Sequence, residues 1–393
     1  MREVLICDAR RTAIGTFMGS LKDVPASDLG AIVLKAILTG NGLSPSEVEE
    51  VVIGNVLQAG QGMNPARQVA LKAGLPVSST AMTINRVCGS GLQAIISGSQ
   101  EIMIGDADLV IAGGIENMNR APFLLMKARF GYRLGNDVLI DSMVNDGLWD
   151  VFNNVHMALT AEHLAEKFQI TREEQDLFAY NSQMKAAQAL KEGRFHREIV
   201  PVEIPQARGE PTVFQVDEHP RPDTTMEKLG KLRPAFKKDG AITAGNASGI
   251  NDGAALVLLA SLEKAESLGL KVRARIMGYA LSGVDPMEMG LGPVEAIKKV
   301  LKKTGLRMED LQVVELNEAF AAQSLAVLRS IGIDPEKLNP NGGAIALGHP
   351  IGASGARLLV TLLHELERTG KSIGMVTLCI GGGQGVAMII ERV

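Results

Sequence analysis

The sequence predicts a layered α/β fold made of two similar outer parts, with a long insertion in the first. Three observations carry that expectation. Short apolar runs alternate with helix-like patterns over both outer thirds of the chain. Two pairs of landmarks recur at nearly one spacing. The middle third is richer in charge and proline than its flanks and holds His156, His163, His196 and His219. Apolar runs without polar alternation read as strands buried on both faces, which requires helical layers on each side of the sheet.

Taken in order, Met1 to Ala9 reads as a buried strand. It has neither the apolar core of a signal peptide nor the Arg-rich, acid-poor character of a transit segment. Leu29 to Leu38 and Gly91 to Met103 read as helices, and Val51 to Gly54 and Leu109 to Gly113 as strands. Helical periodicity returns at Ala158 to Phe168 and Arg172 to Glu192. Between and after these, Gln206-Ala207-Arg208-Gly209-Glu210-Pro211 and His219-Pro220-Arg221-Pro222-Asp223 cannot be central strands. Gly253 to Leu259 resumes the buried-strand pattern. The closing part repeats the opening grammar with Val313 to Leu316, a helix over Ala319 to Leu328, a helix over Ala356 to Leu366, and strands at Ile373 to Ile380 and Val386 to Ile390.

The repeat has landmarks. Gly54-Asn55 corresponds to Leu316-Asn317 at a spacing of 262, and Cys88 to His349 at a spacing of 261. Each of the latter pair precedes a glycine-rich turn into a helix, so the outer parts read as copies of one unit. The expected divisions are 1–120 and 248–271 for the first copy, 121–247 for the insertion, and 272–393 for the second copy.

Composition narrows the class. A chain of 393 residues with 46% hydrophobic content exceeds one ordinary core. A net charge of -4 gives no general attraction to nucleic acid. Three cysteines, Cys7, Cys88 and Cys379, imply free thiols in a reducing compartment, so a cytoplasmic location is expected. They are too few and scattered for a zinc site, and no metal is expected. No run reaches the roughly 18–20 apolar residues that span a bilayer.

The chemistry concentrates around two of those thiols. Cys88 lies in Val87-Cys88-Gly89-Ser90-Gly91 and Cys379 in Cys379-Ile380-Gly381-Gly382-Gly383, each between an apolar stretch and glycines. Amides at the start of the Gly91 helix would favour a thiolate at Cys88; a buried structural thiol is the alternative. His349, between Gly348 and Pro350, sits on a rigid turn suited to a base for Cys88 or a donor to an oxyanion. Asn317-Glu318 reads either as a helix N-cap with a first-turn acid or as an amide that holds a water against substrate. Asn246 to Gly253 is a polar turn that offers Ser248 to a ligand arm. No Walker-type loop is present, and Gly381 to Gly385 joins two strands, which argues against a dinucleotide fingerprint.

Together, Val87-Cys88-Gly89-Ser90-Gly91, Asn246-Ala247-Ser248-Gly249, Asn317-Glu318-Ala319-Phe320, Gly348-His349-Pro350 and Cys379-Ile380-Gly381-Gly382-Gly383 resemble the thiolase family over essentially the whole chain. The chain looks most like its short-chain biosynthetic type, the acetyl-CoA C-acetyltransferases. The resemblance implies two βαβαβ-type halves in a five-layered α-β-α-β-α arrangement, with an inserted loop domain that binds coenzyme A. It also implies reversible condensation of two acetyl-CoA to acetoacetyl-CoA and coenzyme A. In that scheme Cys88 is the nucleophile, His349 takes its proton, Cys379 handles the α-proton, Asn317 holds a water, and Gly381 donates to an oxyanion. Leu148, His156, Met157, Arg221, Phe236, Ala244, Ser248, Met289 and Phe320 would line the coenzyme A and acyl sites. Coenzyme A thioesters enter as substrates, with no permanent cofactor, and a homotetramer is implied. Ala158, His163 and Glu315-Leu316 depart from the biosynthetic pattern, the last toward degradative 3-ketoacyl-CoA thiolases of broader chain length. That activity, and more remotely a non-catalytic acyl-CoA binder, are the alternatives.

Overall fold

A computed structural model describes residues 2–206 and 209–393; Ala207 and Arg208, within the predicted Gln206–Pro211 loop, lie outside the described residues. Nine strands form the path of the main sheet: β1 Leu5–Thr12, β2 Glu50–Gly54, β3 Thr80–Ile84, β4 Leu109–Asn117, β5 Asn251–Ala260, β6 Ala274–Gly283, β7 Val313–Leu316, β8 Ile373–Ile380 and β9 Gln384–Arg392. The helices that matter here are α1 Ala26–Gly40, α2 Pro65–Ala73, α3 Ser90–Ile104, α4 Met157–Lys167, α5 Arg172–Lys191, α6 Gly292–Thr304, α7 Ala321–Ile331 and α8 Ser354–Thr369. Strand order is β7-β8-β9-β6-β1-β5-β4-β2-β3.

The duplication is visible in that order. The first copy runs β1-α1-β2-α2-β3-α3-β4-β5, and the second runs β6-α6-β7-α7-α8-β8-β9. The place of β3 in the second copy is taken by a single parallel bridge, Val314 to Leu338. The two half-sheets join edge to edge where β1 meets β6, with Leu5 opposite Arg275 and Ile6 opposite Ala274.

Burial shows why five layers form. One apolar cluster packs α3 and α8 between the inner faces of both half-sheets, for example Leu92, Ile95, Leu359 and Leu363 with Val110, Val257, Val376 and Met388. A second covers the outer face of the first half with α1 and α2, and a third covers the second half with α6 and α7. The two central helices approach through glycines. A Cβ on Gly91 would lie 2.9 Å from the backbone N of Ala356, and one on Gly355 would lie 2.6 Å from the N of Leu92. Such contacts leave no room for any side chain.

The chain leaves the sheet after β4 and returns at β5, so residues 118–250 occupy the connection that the second copy closes with Gly381 to Gly383. This excursion carries α4 and α5 against α7 and the second half. Two expectations shift. The predicted helix from Ala319 begins at Ala321, with Phe320 as its N-cap. The helices α3 and α8 start at Ser90 and Ser354, which sets Gly352 rather than His349 opposite Cys88 in the repeat. The spacing of 261 therefore paired two residues of similar surroundings that are not structural equivalents.

Candidate active site

Cys88 sits on a strained connection between β3 and α3. Val87, a β-branched residue, has φ of +45°, a left-handed conformation that costs free energy and persists only when its surroundings enforce it. Asn85 Oδ1 accepts from Val87 N at 2.8 Å, and Ser90 Oγ accepts from Arg86 N at 2.8 Å and donates to Val87 O at 2.6 Å. These bonds hold the turn and place the sulfur against Leu148, Met118, Met143 and Ile351.

The sulfur does not rest as the thiolate that the helix-start argument favoured. Gly89, not Cys88, is the N-cap of α3, so Cys88 stands one residue outside the helix. Burial pushes the thiol up to about 11, although the N–H groups of Gly381 and of Cys88 itself oppose the shift. Desolvation outweighs two backbone donors because the half-buried site strips a thiolate of much of its hydration. The same two donors converge on the place where an oxygen anion would form.

Cys379, at the end of β8, is buried in a small apolar cluster with Met157, Met289 and Ala319, and Phe320 packs against it. Burial raises its thiol, and charge on nearby Cys88 pushes the same way. The two thiols therefore lie near enough for their charges to interact. Their loops also touch: a Cβ on Gly89 would lie 2.5 Å from Ile380 Cδ1.

His349 is buried, and both ring nitrogens have defined neighbours. Nδ1 lies 2.5 Å from Ser354 Oγ, and Nε2 lies 3.4 Å from Asn317 Nδ2. Ser354 Oγ donates its one proton to Pro350 O at 2.9 Å, so it must accept from the ring. The proton is therefore on Nδ1, and the Nε2 lone pair faces the Asn317 Nδ2 donor. Burial, with the positive charge of Arg357 second, pushes the imidazole down to about 3, so it is neutral. The loop is anchored by His349 N donating to Asn251 Oδ1 at 2.8 Å.

Asn317 caps no helix, and Glu318 is not a first-turn acid. Asn317 extends β7, its N donating to Thr377 O at 3.0 Å, and its buried Oδ1 has no partner. A buried amide oxygen of this kind is suited to an ordered water. Glu318 is instead structural, accepting from Ser182 Oγ and Asn339 Nδ2 at 2.7 Å each.

The remaining predicted residues fall into three groups. Leu148 joins the Cys88 side of the pocket, and Met157, Met289 and Phe320 the Cys379 side. His156 and Phe236 stack with centroids 4.6 Å apart at the outer end of α4. Arg221 and Ala244 line a separate cavity of about 300 Å³ with His219 and Lys228, which neither His156 nor Phe236 lines. Ser248 is tied to the Cys379 side, its N donating to Ala319 O at 2.9 Å. No group of three or more His, Cys, Asp or Glu among the described residues is arranged to hold a metal, and no helix is long and apolar enough to cross a membrane.

Sequence reasoning missed three supports. Ser354 fixes the histidine tautomer. Asn251 anchors its loop. Glu116 on β4, fully buried, receives Asn55 Nδ2, Val56 N, Leu57 N and Gly352 N. Ser354 could have been found as the hydroxyl one turn beyond His349, but nothing in the local sequence marks Glu116.

Comparison with known proteins agrees along the whole length. Residues 4–263 match the family described as thiolase, N-terminal domain, and residues 270–392 match thiolase, C-terminal domain. The acetyl-CoA acetyltransferase of Pseudomonas aeruginosa is 58% identical over 392 residues, covering 100% of both chains. Among solved structures, the Bacillus anthracis acetyl-CoA acetyltransferase is 47% identical with a TM-score of 0.98, covering 100% of this chain and 99% of that one. Human mitochondrial 3-ketoacyl-CoA thiolase is also 47% identical, with a TM-score of 0.96 over 100% of this chain and 99% of its own.

Proposed function

The chain belongs to the thiolase family, and we propose that Cys88 is the residue through which it passes an acetyl group. The protein is an acetyl-CoA acyltransferase, which condenses two acetyl-CoA to acetoacetyl-CoA and coenzyme A, reversibly. One observation carries the assignment of roles: two thiols lie near enough for their charges to interact, and a neutral imidazole presents an unprotonated Nε2 on the side of Asn317.

In the first half-reaction, Cys88 Sγ attacks the thioester carbon and its proton passes to His349 Nε2. The tetrahedral oxygen lies toward the N–H groups of Cys88 and Gly381. Loss of one such donor costs about 3–4 kcal/mol of transition-state stabilisation. The intermediate collapses as the carbon–sulfur bond to coenzyme A breaks, and the departing thiolate takes the proton of Cys379. Cys379, now a thiolate facing the His349 imidazolium, removes the α-proton of a second acetyl-CoA. Its raised pKa makes it a strong enough base for a weak carbon acid. The enolate oxygen is met by His349 and by a water on Asn317 Oδ1. Its carbon attacks acetyl-Cys88, and the released Cys88 sulfur recovers the proton from His349.

The stacked His156–Phe236 pair, Ser248, and the Arg221 and Ala244 cavity are suited to successive parts of coenzyme A. Exposed Phe123, Phe130 and Leu134 lie on one excursion of the insertion, closed by the paired segments Phe123–Leu124 and Ile140–Asp141, which supports assembly into a homotetramer. A cytoplasmic location fits three free thiols.

Intact mass after mixing with acetyl-CoA tests the roles. One acetyl group should load on Cys88 and be absent in Cys88→Ala. In Cys379→Ala it should load without condensation. Acetylation that survived Cys88→Ala and followed Cys379 would reverse the assignment. The 3-ketoacyl-CoA thiolase likeness favours a second activity on longer chains, but Met157 and Met289 close the pocket around a short acyl group. Thiolysis rates on acetoacetyl-CoA and a long-chain 3-ketoacyl-CoA decide between them.

A further inference from the structure

Behind His349 lies a second pair of polar side chains that the chemistry above does not touch. Ser354 and Arg357 are three residues apart on α8 and share a face. Glu315 and Asn317 are two apart along β7 and its extension, and point to one side. Ser354 and Asn317 flank the two ring nitrogens of His349. Arg357 and Glu315 thus form a second rung beneath the ring.

This rung is unlike an ordinary buried ion pair. Arg357 Nη1 and Glu315 Oε2 are 3.7 Å apart, beyond hydrogen-bond reach, and both side chains are buried. None of the three guanidinium nitrogens or two carboxyl oxygens has a partner. Arg11 shows the contrast: it grips Asp217 at 2.7 and 2.8 Å and Glu198 at 2.6 Å, so its charge is matched at contact. Arg357 is matched only at a distance.

We propose that Arg357, held beneath the ring opposite Glu315, is a positioning residue that keeps His349 a neutral imidazole at rest. Cys88 then waits as a thiol and loses its proton only as the sulfur–carbon bond forms. This rests on the assignment of Cys88 as nucleophile and His349 as its base. A cation beside the ring disfavours imidazolium, and with it the standing thiolate–imidazolium pair that would react with electrophiles before substrate arrives. Imidazolium is then formed only together with an anion: first the tetrahedral oxyanion, then the Cys379 thiolate or the enolate. The ionisable groups on the elements around the loop are Cys88, Cys379, Arg11 on β1 with its partners Glu198 and Asp217, Glu116 on β4, Asp252 on β5, Glu315 on β7 with Glu318 just beyond it, and Arg357 and Glu365 on α8. Glu116 is taken up by four N–H donors and Asp252 by Asn119. Arg357 is the one whose charge acts on the ring, second only to burial.

The test is alkylation of Cys88 by iodoacetamide, followed by mass from pH 5.5 to 8.5, in wild type, Arg357→Met, Arg357→Lys and the double variant Arg357→Met with Glu315→Gln. At neutral pH the Met variant should be alkylated at least threefold faster, with the climb of its rate with pH displaced to lower pH, whereas the Lys variant should match wild type. The double variant leaves no buried carboxyl without its cation, and carries the comparison where the single variant does not fold. Met variants no faster than wild type would overturn the proposal. So would a Lys variant as fast as Met, which would mean loosened packing. Wild-type protein that took no acetyl group on Cys88 would instead remove the assignment on which the proposal rests.

Discussion

Replacing Ser354 by alanine isolates one atom of the site. Ser354 Oγ lies 2.5 Å from His349 Nδ1 and gives its own proton to Pro350 O, so it serves the ring only as an acceptor. Removing it leaves the Nδ1–H buried and unpaired, a penalty of about 1–3 kcal/mol. Moving the proton to Nε2 offers no escape. That N–H would face the Asn317 amide nitrogen, also a donor, and the lone pair needed to accept the Cys88 proton would be gone. The competent tautomer is therefore no longer favoured, and a loss of about 1.4–2.7 kcal/mol corresponds to a 10- to 100-fold slower acetylation. Rapid-quench measurement of single-turnover acetylation reports this step without product release, and KM should move little because Ser354 lies behind the ring. Acetylation within twofold of wild type, in folded Ser354→Ala protein, would show that the hydroxyl does not set the tautomer.

Other substitutions probe the supports and the pocket. Gly348 has φ of +102° and its Cβ would lie 2.5 Å from Asn251 Cγ, so Gly348→Ala should lose about 2–4 kcal/mol in urea denaturation and most activity. Met289→Ala opens the apolar cluster around Cys379 and should raise the rate on 3-ketohexanoyl-CoA relative to acetoacetyl-CoA roughly tenfold, read from kcat/KM on both. Burial pushes Glu116 up to about 7, above its unfolded value, so the folded state holds the proton more tightly. Its stabilising contribution is full below the unfolded pKa of about 4.3 and is lost as pH rises through 7. Urea midpoints from pH 4.5 to 8 should fall across that window in wild type and fall less in Glu116→Gln.

What the sequence made legible was the part written in local pattern. Apolar runs such as Leu109 to Gly113 and Ile373 to Ile380 become central strands because burial on both faces needs no partner-specific signal. The strand Thr80–Ile84 escaped notice because it lies at the sheet edge, half-exposed, with a mixed pattern. Ala274–Gly283 escaped because glycines and polar residues interrupt it. Within the site, the glycines beside Cys88 were the right signal with an incomplete reason. Gly89 and Gly91 make room for Ile380 and for α8, joining the two halves, as well as leaving the sulfur accessible. Residues paired across the fold, such as Glu116 with the Gly352 loop, leave no trace in either neighbourhood. The thiolate expectation failed because helix-start amides were weighed without the burial that opposes them.

The register of the two half-sheets explains why one pocket needs both. Gly54 of β2 pairs with Gly114 of β4, and Leu316 of β7 pairs with Thr377 of β8. Two residues further along β4 and β8 stand Glu116 and Cys379, so these are equivalent positions, as are Asn55 and Asn317. In the first copy the glutamate takes the Asn55 amide at 2.7 Å and also reaches the Gly352 N–H at 2.9 Å. That copy spends its polar strand end on holding the loop that carries His349. In the second copy a thiol replaces the glutamate, and Asn317 turns its Nδ2 to His349 Nε2 at 3.4 Å and keeps an unpaired oxygen. A carboxylate at position 379 would accept from Asn317 Nδ2 and draw that donor away from His349 Nε2. The loss of a structural acid thus provides a carbon base and frees the Asn317 amide N–H to meet His349, and the intact copy supplies the nucleophile and the rigid frame that the altered copy works against.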